Sequence, residues 1–133
     1  MTQALKVLIA EDDRMTRRIL QVTFSDHPQL QPYGASVILA EDGALALHHF
    51  KEDRPDLVLL DLFMPRVDGF ALCQHIRETE HGAQVPIIVM SAIWKQPQML
   101  ERLQQEFGVE FLEKPFNVDT LAALVTRMIP PPG

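Results

Sequence analysis

Glu11, Asp12 and Asp13 stand in a row directly after the short run Lys6–Ala10 ("KVLIA"), and Asp61 directly follows Leu57–Leu60 ("LVLL"). Ser91 follows Pro86–Met90 ("PIIVM"), and Lys114-Pro115 comes shortly after Val109–Leu112 ("VEFL"). A lone aspartate after an apolar run is ordinarily a solvated strand end or a helix cap. Here each group has its own run, and the runs are short enough to be strands buried on both faces of a parallel sheet. Open α/β sheets bind ligands beyond the carboxyl ends of their strands. Carboxylates, one hydroxyl and one ammonium would therefore converge on one edge. Crowded carboxylates repel one another unless a cation sits among them, and a hard divalent ion such as Mg2+ fits that need. A carboxylate nucleophile beside a metal, a lysine and a hydroxyl suits acceptance of a phosphoryl group. The cations would neutralise charge on the phosphoryl oxygens as Asp61 attacks.

The elements that must position these groups are legible as an alternation. Ser36–Ala40 ("SVILA") adds a fifth strand, and amphipathic stretches lie between the runs. Met15, Ile19 and Val22 mark one helix face, Ala46, Leu47 and Phe50 a second, and Leu72, Cys73 and Ile76 a third. Met99, Leu103 and Phe107 mark the fourth, and Leu121, Leu124, Val125 and Met128 the fifth. Asn117, with Asp119 and Thr120, is the expected start of the last helix. Five strands alternating with five helices predict a doubly wound α/β domain with a parallel sheet. The stretch "SDHPQLQPYGA" (25–35) reads as a long loop.

At 133 residues the chain is one domain, expected over 1–129, with "PPPG" (130–133) as a Pro-rich tail or linker stub. The net charge of −6 disfavours unaided binding to nucleic acid or anionic membrane. One cysteine, Cys73, excludes an internal disulfide framework and a multi-cysteine metal site. The N-terminal apolar run is far too short for a signal peptide or membrane span, so the cytoplasm is the expected location.

"LIAEDDRMTRRIL", "DLVLLDLFMPRVDGFALCQHIR", "PIIVMSA" and "FLEKPF" together resemble the response-regulator receiver domain of two-component phosphorelays, in order and over nearly the whole chain. The resemblance implies a flavodoxin-like sheet of order 2-1-3-4-5. It implies Asp61 as phosphoacceptor and a Mg2+ site, with Mn2+ as a substitute, formed by Glu11, Asp12, Asp61 and the Phe63 backbone carbonyl. Ser91 would be the hydroxyl switch residue, Phe111 the aromatic switch and Lys114 the phosphate-pairing lysine. Pro115 would follow a cis peptide bond, and Gly69 fits the turn into the third helix. The implied partners are a histidine kinase or phosphotransfer protein and a downstream protein or output domain. That partner would read a face running from the fourth helix through the fifth strand to the fifth helix. Phe63 and Ile93, two residues after Asp61 and Ser91, would tune the lifetime of the phosphorylated state. The first acidic position holds Glu where Asp is more familiar in the family, and "FGVEFLEKPF" replaces its usual Gly-Ala-Asp-Asp stretch.

Two other functions fit less well. A haloacid-dehalogenase-like phosphatase would need a second acid two residues after its nucleophile, where this chain has Phe63. A flavodoxin-like cofactor binder would need a Gly/Ser/Thr-rich phosphate loop after the first strand, where acids would repel the phosphate. Among the remaining residues, Asp13 reads as a helix N-cap and Cys73 as core. Arg14, Arg17 and Arg18 read as a solvated helix face, the five histidines as helix surface, and Trp94 as local packing or a partner contact.

Overall fold

The computed structural model describes residues 4–66, 68–92 and 97–132. Its sheet has five parallel strands, β1 (Lys6–Ala10), β2 (Ser36–Ala40), β3 (Leu57–Asp61), β4 (Ile87–Ser91) and β5 (Glu110–Glu113), in the order β2-β1-β3-β4-β5. The helices are α1 (Arg14–Asp26), α2 (Gly43–Asp53), α3 (Gly69–Glu78), α4 (Pro97–Phe107) and α5 (Val118–Met128). None of the described helices is long and apolar enough to cross a membrane.

The two faces of the sheet bury different helices. Leu8, Val58, Leu60, Ile87 and Val89 pack with Ala46 and Phe50 of α2, Leu72, Cys73 and Ile76 of α3, and Leu100 and Leu103 of α4. Val7, Ile9, Leu57, Leu59, Ile88, Met90 and Leu112 pack with Leu20 and Phe24 of α1 and with Leu121, Ala122 and Val125 of α5. Successive strand residues alternate between these faces. Because β3 and β4 are buried at every position, their sequences are continuous apolar runs rather than alternating ones. Burial pushes the Cys73 thiol up to about 12, which leaves it an inert core group.

Three strands end one residue later than the apolar runs predict. Asp61 pairs with Met90, and Ser91 with Glu113, so both polar residues close their strands instead of following them. Pro86 lacks an N–H and stays outside β4, although its carbonyl still accepts from the Val58 amide at 3.0 Å.

The expected face of α1 is wrong. Met15, Ile19 and Val22 are exposed, and Leu20, Thr23 and Phe24 face the core. The two stripes have similar spacing, and the bulkier Leu20 and Phe24 take the inside. Thr23 can be buried because its hydroxyl donates to the Ile19 carbonyl at 2.7 Å. The stretch 25–35 is also more than a loop. It contains a 3₁₀ turn (Gln31–Tyr33), buries Leu30 and Tyr33, and ties the Tyr33 hydroxyl to the Ile129 carbonyl beyond α5 at 2.5 Å. Nor are all the histidines surface residues, since the ring of half-buried His81 lies 2.7 Å from the Pro55 carbonyl.

Candidate functional site at the carboxyl edge of the sheet

The helices start at the edge where the strands end. Asp13, Asp42, Asp68 and Asn117 cap α1, α2, α3 and α5, each accepting from an amide of the first turn. Asp13 takes both the Thr16 amide, at 2.8 Å, and the Thr16 hydroxyl, at 2.6 Å. It is a cap and stands outside the acidic cluster. Its exposed carboxyl is held below the ordinary range by these bonds.

Strand parity sorts the functional side chains. Glu11, Asp61 and Lys114 each lie two residues beyond a core residue of the α1/α5 face, namely Ile9, Leu59 and Leu112. The three meet. Lys114 Nζ donates to Glu11 Oε1 at 2.5 Å and to Asp61 Oδ2 at 3.2 Å. Carboxylate oxygens of Glu11, Asp12 and Asp61 lie within 4.8 Å of one another. Glu11 and Asp61 are buried, and Asp12 is exposed.

Burial pushes the Glu11 carboxyl up to about 7, against the opposing pull of Lys114 and the Asp13 amide and reinforced by the charge of Asp61. Burial also disfavours the Lys114 ammonium, but the hydrogen bonds and charges of Glu11 and Asp61 outweigh it and hold its pKa above the ordinary value. Asp61 accepts on its other oxygen from the Phe63 amide, at 3.1 Å. The Phe63 side chain is 54% exposed, so it flanks the site from the solvent side.

Ser91 and Phe111 follow the opposite parity. Ser91 lies two residues beyond Val89, which pairs with Phe111, and both belong to the α2/α3/α4 face. Ser91 Oγ is buried and has no hydrogen-bond partner among the described residues. The Lys114 amide donates to the Ser91 carbonyl at 2.9 Å, and the Lys114–Pro115 peptide is cis. Ile93 and Trp94 lie outside the described residues.

A family model described as "Response regulator receiver domain" matches residues 7–126. The chain belongs to that family. It is 36% identical over 127 residues to the response regulator MprA of Mycolicibacterium vanbaalenii, covering 94% of this chain and 50% of that protein. The chain thus spans about half the length of the curated relatives it matches. Among solved structures it resembles the chemotaxis response regulator CheY4 of Vibrio cholerae, with a TM-score of 0.81 and 27% identity over 96% of this chain and 100% of that one. It also resembles the receiver domain of the sensor histidine kinase PA1611 from Pseudomonas aeruginosa, which has a magnesium ion coordinated in its active-site cleft. There the TM-score is 0.77 and the identity 26%, over 94% of this chain and 97% of that one.

This receiver of two-component signalling contains site contacts that the sequence reading missed. Arg17 is not simply part of a solvated face, because its Nη1 donates to the carbonyls of Glu11, at 2.8 Å, and Asp12, at 3.0 Å. Arg66 adopts a left-handed backbone (φ 77°) in the loop after β3 and pairs with Asp42 at 3.2 Å. The only advance signal for Arg17 was a base in the first turn of a helix, where the macrodipole favours acids.

Proposed function

We propose that this receiver takes a phosphoryl group from a phosphohistidine donor onto Asp61. The donor would be a histidine kinase or phosphotransfer protein. The observation that carries the reading is the setting of Asp61, a buried carboxylate at the end of the central strand. It is held by Lys114 on one oxygen and by the Phe63 amide on the other, with two further carboxylates at hand.

An all-oxygen donor set with surplus negative charge suits a hard divalent ion. Glu11, Asp12, Asp61 and the Phe63 carbonyl would hold Mg2+, or Mn2+ in its place. When bound, the ion supplies positive charge beside the transferring phosphoryl group. A carboxylate oxygen of Asp61 forms the new O–P bond as the N–P bond of the donor imidazole breaks, its electron pair remaining on nitrogen. Lys114 keeps an ammonium beside the phosphoryl oxygens throughout.

The buried hydroxyl of Ser91, without a partner among the described residues, then has an anionic acceptor. That charge-assisted bond is worth about 1.5–3 kcal/mol, enough to bias a two-state element of small gap. Phe111 turns inward into the space that Ser91 vacates, and the α4-β5-α5 face changes for a downstream protein or output domain. The test is incubation with phosphoramidate and Mg2+ followed by intact mass measurement. The parent should gain one acid-stable, base-labile phosphate and Asp61→Asn none. Equal labelling of both would defeat the reading.

A further inference from the structure

We propose that Arg17 is the positioning residue for the acidic pair, fixing the backbone from which Glu11 and Asp12 project toward the cation. This rests on the metal reading above and extends it to a residue outside the ligand set.

The segment 11–13 is not part of any strand or helix, so its geometry must be imposed by hydrogen bonds. On one side the Glu11 amide donates to the Ala40 carbonyl at 3.0 Å, and the Asp13 amide donates to Glu11 Oε2 at 3.2 Å. On the other side the carbonyls of Glu11 and Asp12 both accept from a single nitrogen, Arg17 Nη1. The peptide groups on both sides of Asp12 are therefore tied down from α1. Glu11 has Lys114 and the Asp13 amide to hold its side chain. The exposed Asp12 carboxylate has no hydrogen bond from any described residue, so its aim depends on its backbone.

Helix preference alone does not favour an arginine here. Arg17 is the fourth residue of α1, and its side chain turns back past the N-cap Asp13, the acid at this helix end whose charge it faces, to reach the carbonyls of Glu11 and Asp12. A cation at this end opposes the helix macrodipole. It also adds positive charge beside a site meant for a cation. A departure from local preference of this kind belongs at a functional site.

The two possible effects of Arg17 on metal binding have opposite signs. As a bare charge it repels a divalent ion, so its removal would tighten binding. As a positioning group it preorganises Asp12, so its removal would loosen binding. Mg2+ demands near-ideal octahedral geometry, whereas Ca2+ tolerates irregular sites. A positional loss therefore falls more heavily on Mg2+ than on Ca2+.

The experiment is calorimetric titration of the full chain with Mg2+ alone and with Ca2+ alone, for the parent, Arg17→Met and Arg17→Lys. Groups that orient metal ligands typically contribute tenfold or more in affinity, so Arg17→Met should weaken Mg2+ binding by about tenfold and Ca2+ binding by less. Arg17→Lys keeps the charge but not the planar reach, and should fall between them. Arg17→Met binding Mg2+ as tightly as the parent, or more tightly, would overturn the inference. Should Arg17→Met fail to fold, Arg17→Lys matching the parent in both Mg2+ affinity and Mg2+ preference over Ca2+ would overturn it instead. A parent that binds no Mg2+ defeats the metal reading itself, whereas a normal parent with unaltered variants defeats only this inference.

Discussion

Lys114 and Glu11 are 103 positions apart in sequence, yet the ammonium of one donates to a buried oxygen of the other at 2.5 Å. The lysine thus already serves as counter-charge for an acid that the metal would also claim. Protons compete for the same acid. With its pKa pushed up to about 7 by burial, Glu11 in the metal-free native state holds a proton that the unfolded chain, with an ordinary value of 4.5, has released. Between those values the native state binds more protons, so metal-free stability falls as pH rises from 4.5 to about 7. Cation binding needs the ionised acid and has the opposite sense. Mg2+ affinity should rise from pH 6 to pH 8 with net proton release, and Glu11→Gln should flatten that dependence. Calorimetry in buffers of different ionisation enthalpy measures both.

Ser91 places a hydroxyl without a partner among the described residues in the interior, and an unpaired buried hydroxyl costs about 1–3 kcal/mol in proteins. Ser91→Ala should therefore leave the unmodified domain as stable as the parent, or up to about that much more stable. It should also remove the Phe111 rearrangement that follows phosphorylation. Urea denaturation checks the first outcome. Structures with and without beryllofluoride check the second, and an unmoved Ser91 and Phe111 in the parent would rule out the switch.

Gly69 controls the loop that leaves Asp61. Its amide donates to the Leu62 carbonyl at 2.8 Å, and an added Cβ would stand 2.6 Å from Leu62 Cα and 2.7 Å from the Leu62 carbonyl oxygen. Those are backbone atoms and cannot swing aside. Gly69→Ala should cost about 1–3 kcal/mol, as overpacking of a tight site does, and should weaken Mg2+ binding by shifting the segment that carries Phe63. Thermal denaturation with and without Mg2+ separates the two effects.

The lifetime of the phosphorylated state depends on a water approaching in line with the phosphorus–oxygen bond. Phe63 is exposed beside Asp61, and neither it nor Ile93 has a group that can orient such a water. Slow self-dephosphorylation is expected. Phe63→Asn with Ile93→Glu should shorten the lifetime by about tenfold or more, since each ~1.4 kcal/mol is tenfold in rate. Loss of phosphate from the parent within seconds, or no change in the double variant, would contradict this.

What the sequence made legible follows from what it encodes locally. The apolar runs of β1, β3 and β4 are buried at every position or nearly so, and such runs have few alternatives. Asp61, Glu11, Ser91 and Lys114 could be singled out as candidates because each follows or closes a strand, and parallel topology brings strand ends together. The face of α1 was misjudged because two apolar stripes coexist on it, and tertiary packing chose between them. Leu30 and Tyr33 were missed because a Pro- and Gly-rich stretch carries no period, even when it folds back onto the core. Arg17 was read as a solvated residue because its contacts are to backbone carbonyls, which side-chain patterns do not specify. Lys114 was legible, but its unequal sharing, at 2.5 Å to Glu11 and 3.2 Å to Asp61, depends on how the sheet aligns the ends of β1, β3 and β5.

The central claim is that Asp61 carries the phosphoryl group. Borohydride reduces an aspartyl phosphate to homoserine and leaves free carboxylates untouched, so it marks the acceptor covalently. The receiver should be phosphorylated with phosphoramidate and Mg2+, treated with borohydride, digested and sequenced by mass spectrometry. Homoserine at position 61, and at no other acid, is the predicted result. Homoserine at Asp12, Asp13 or any other acid, with position 61 still aspartate, would contradict the account.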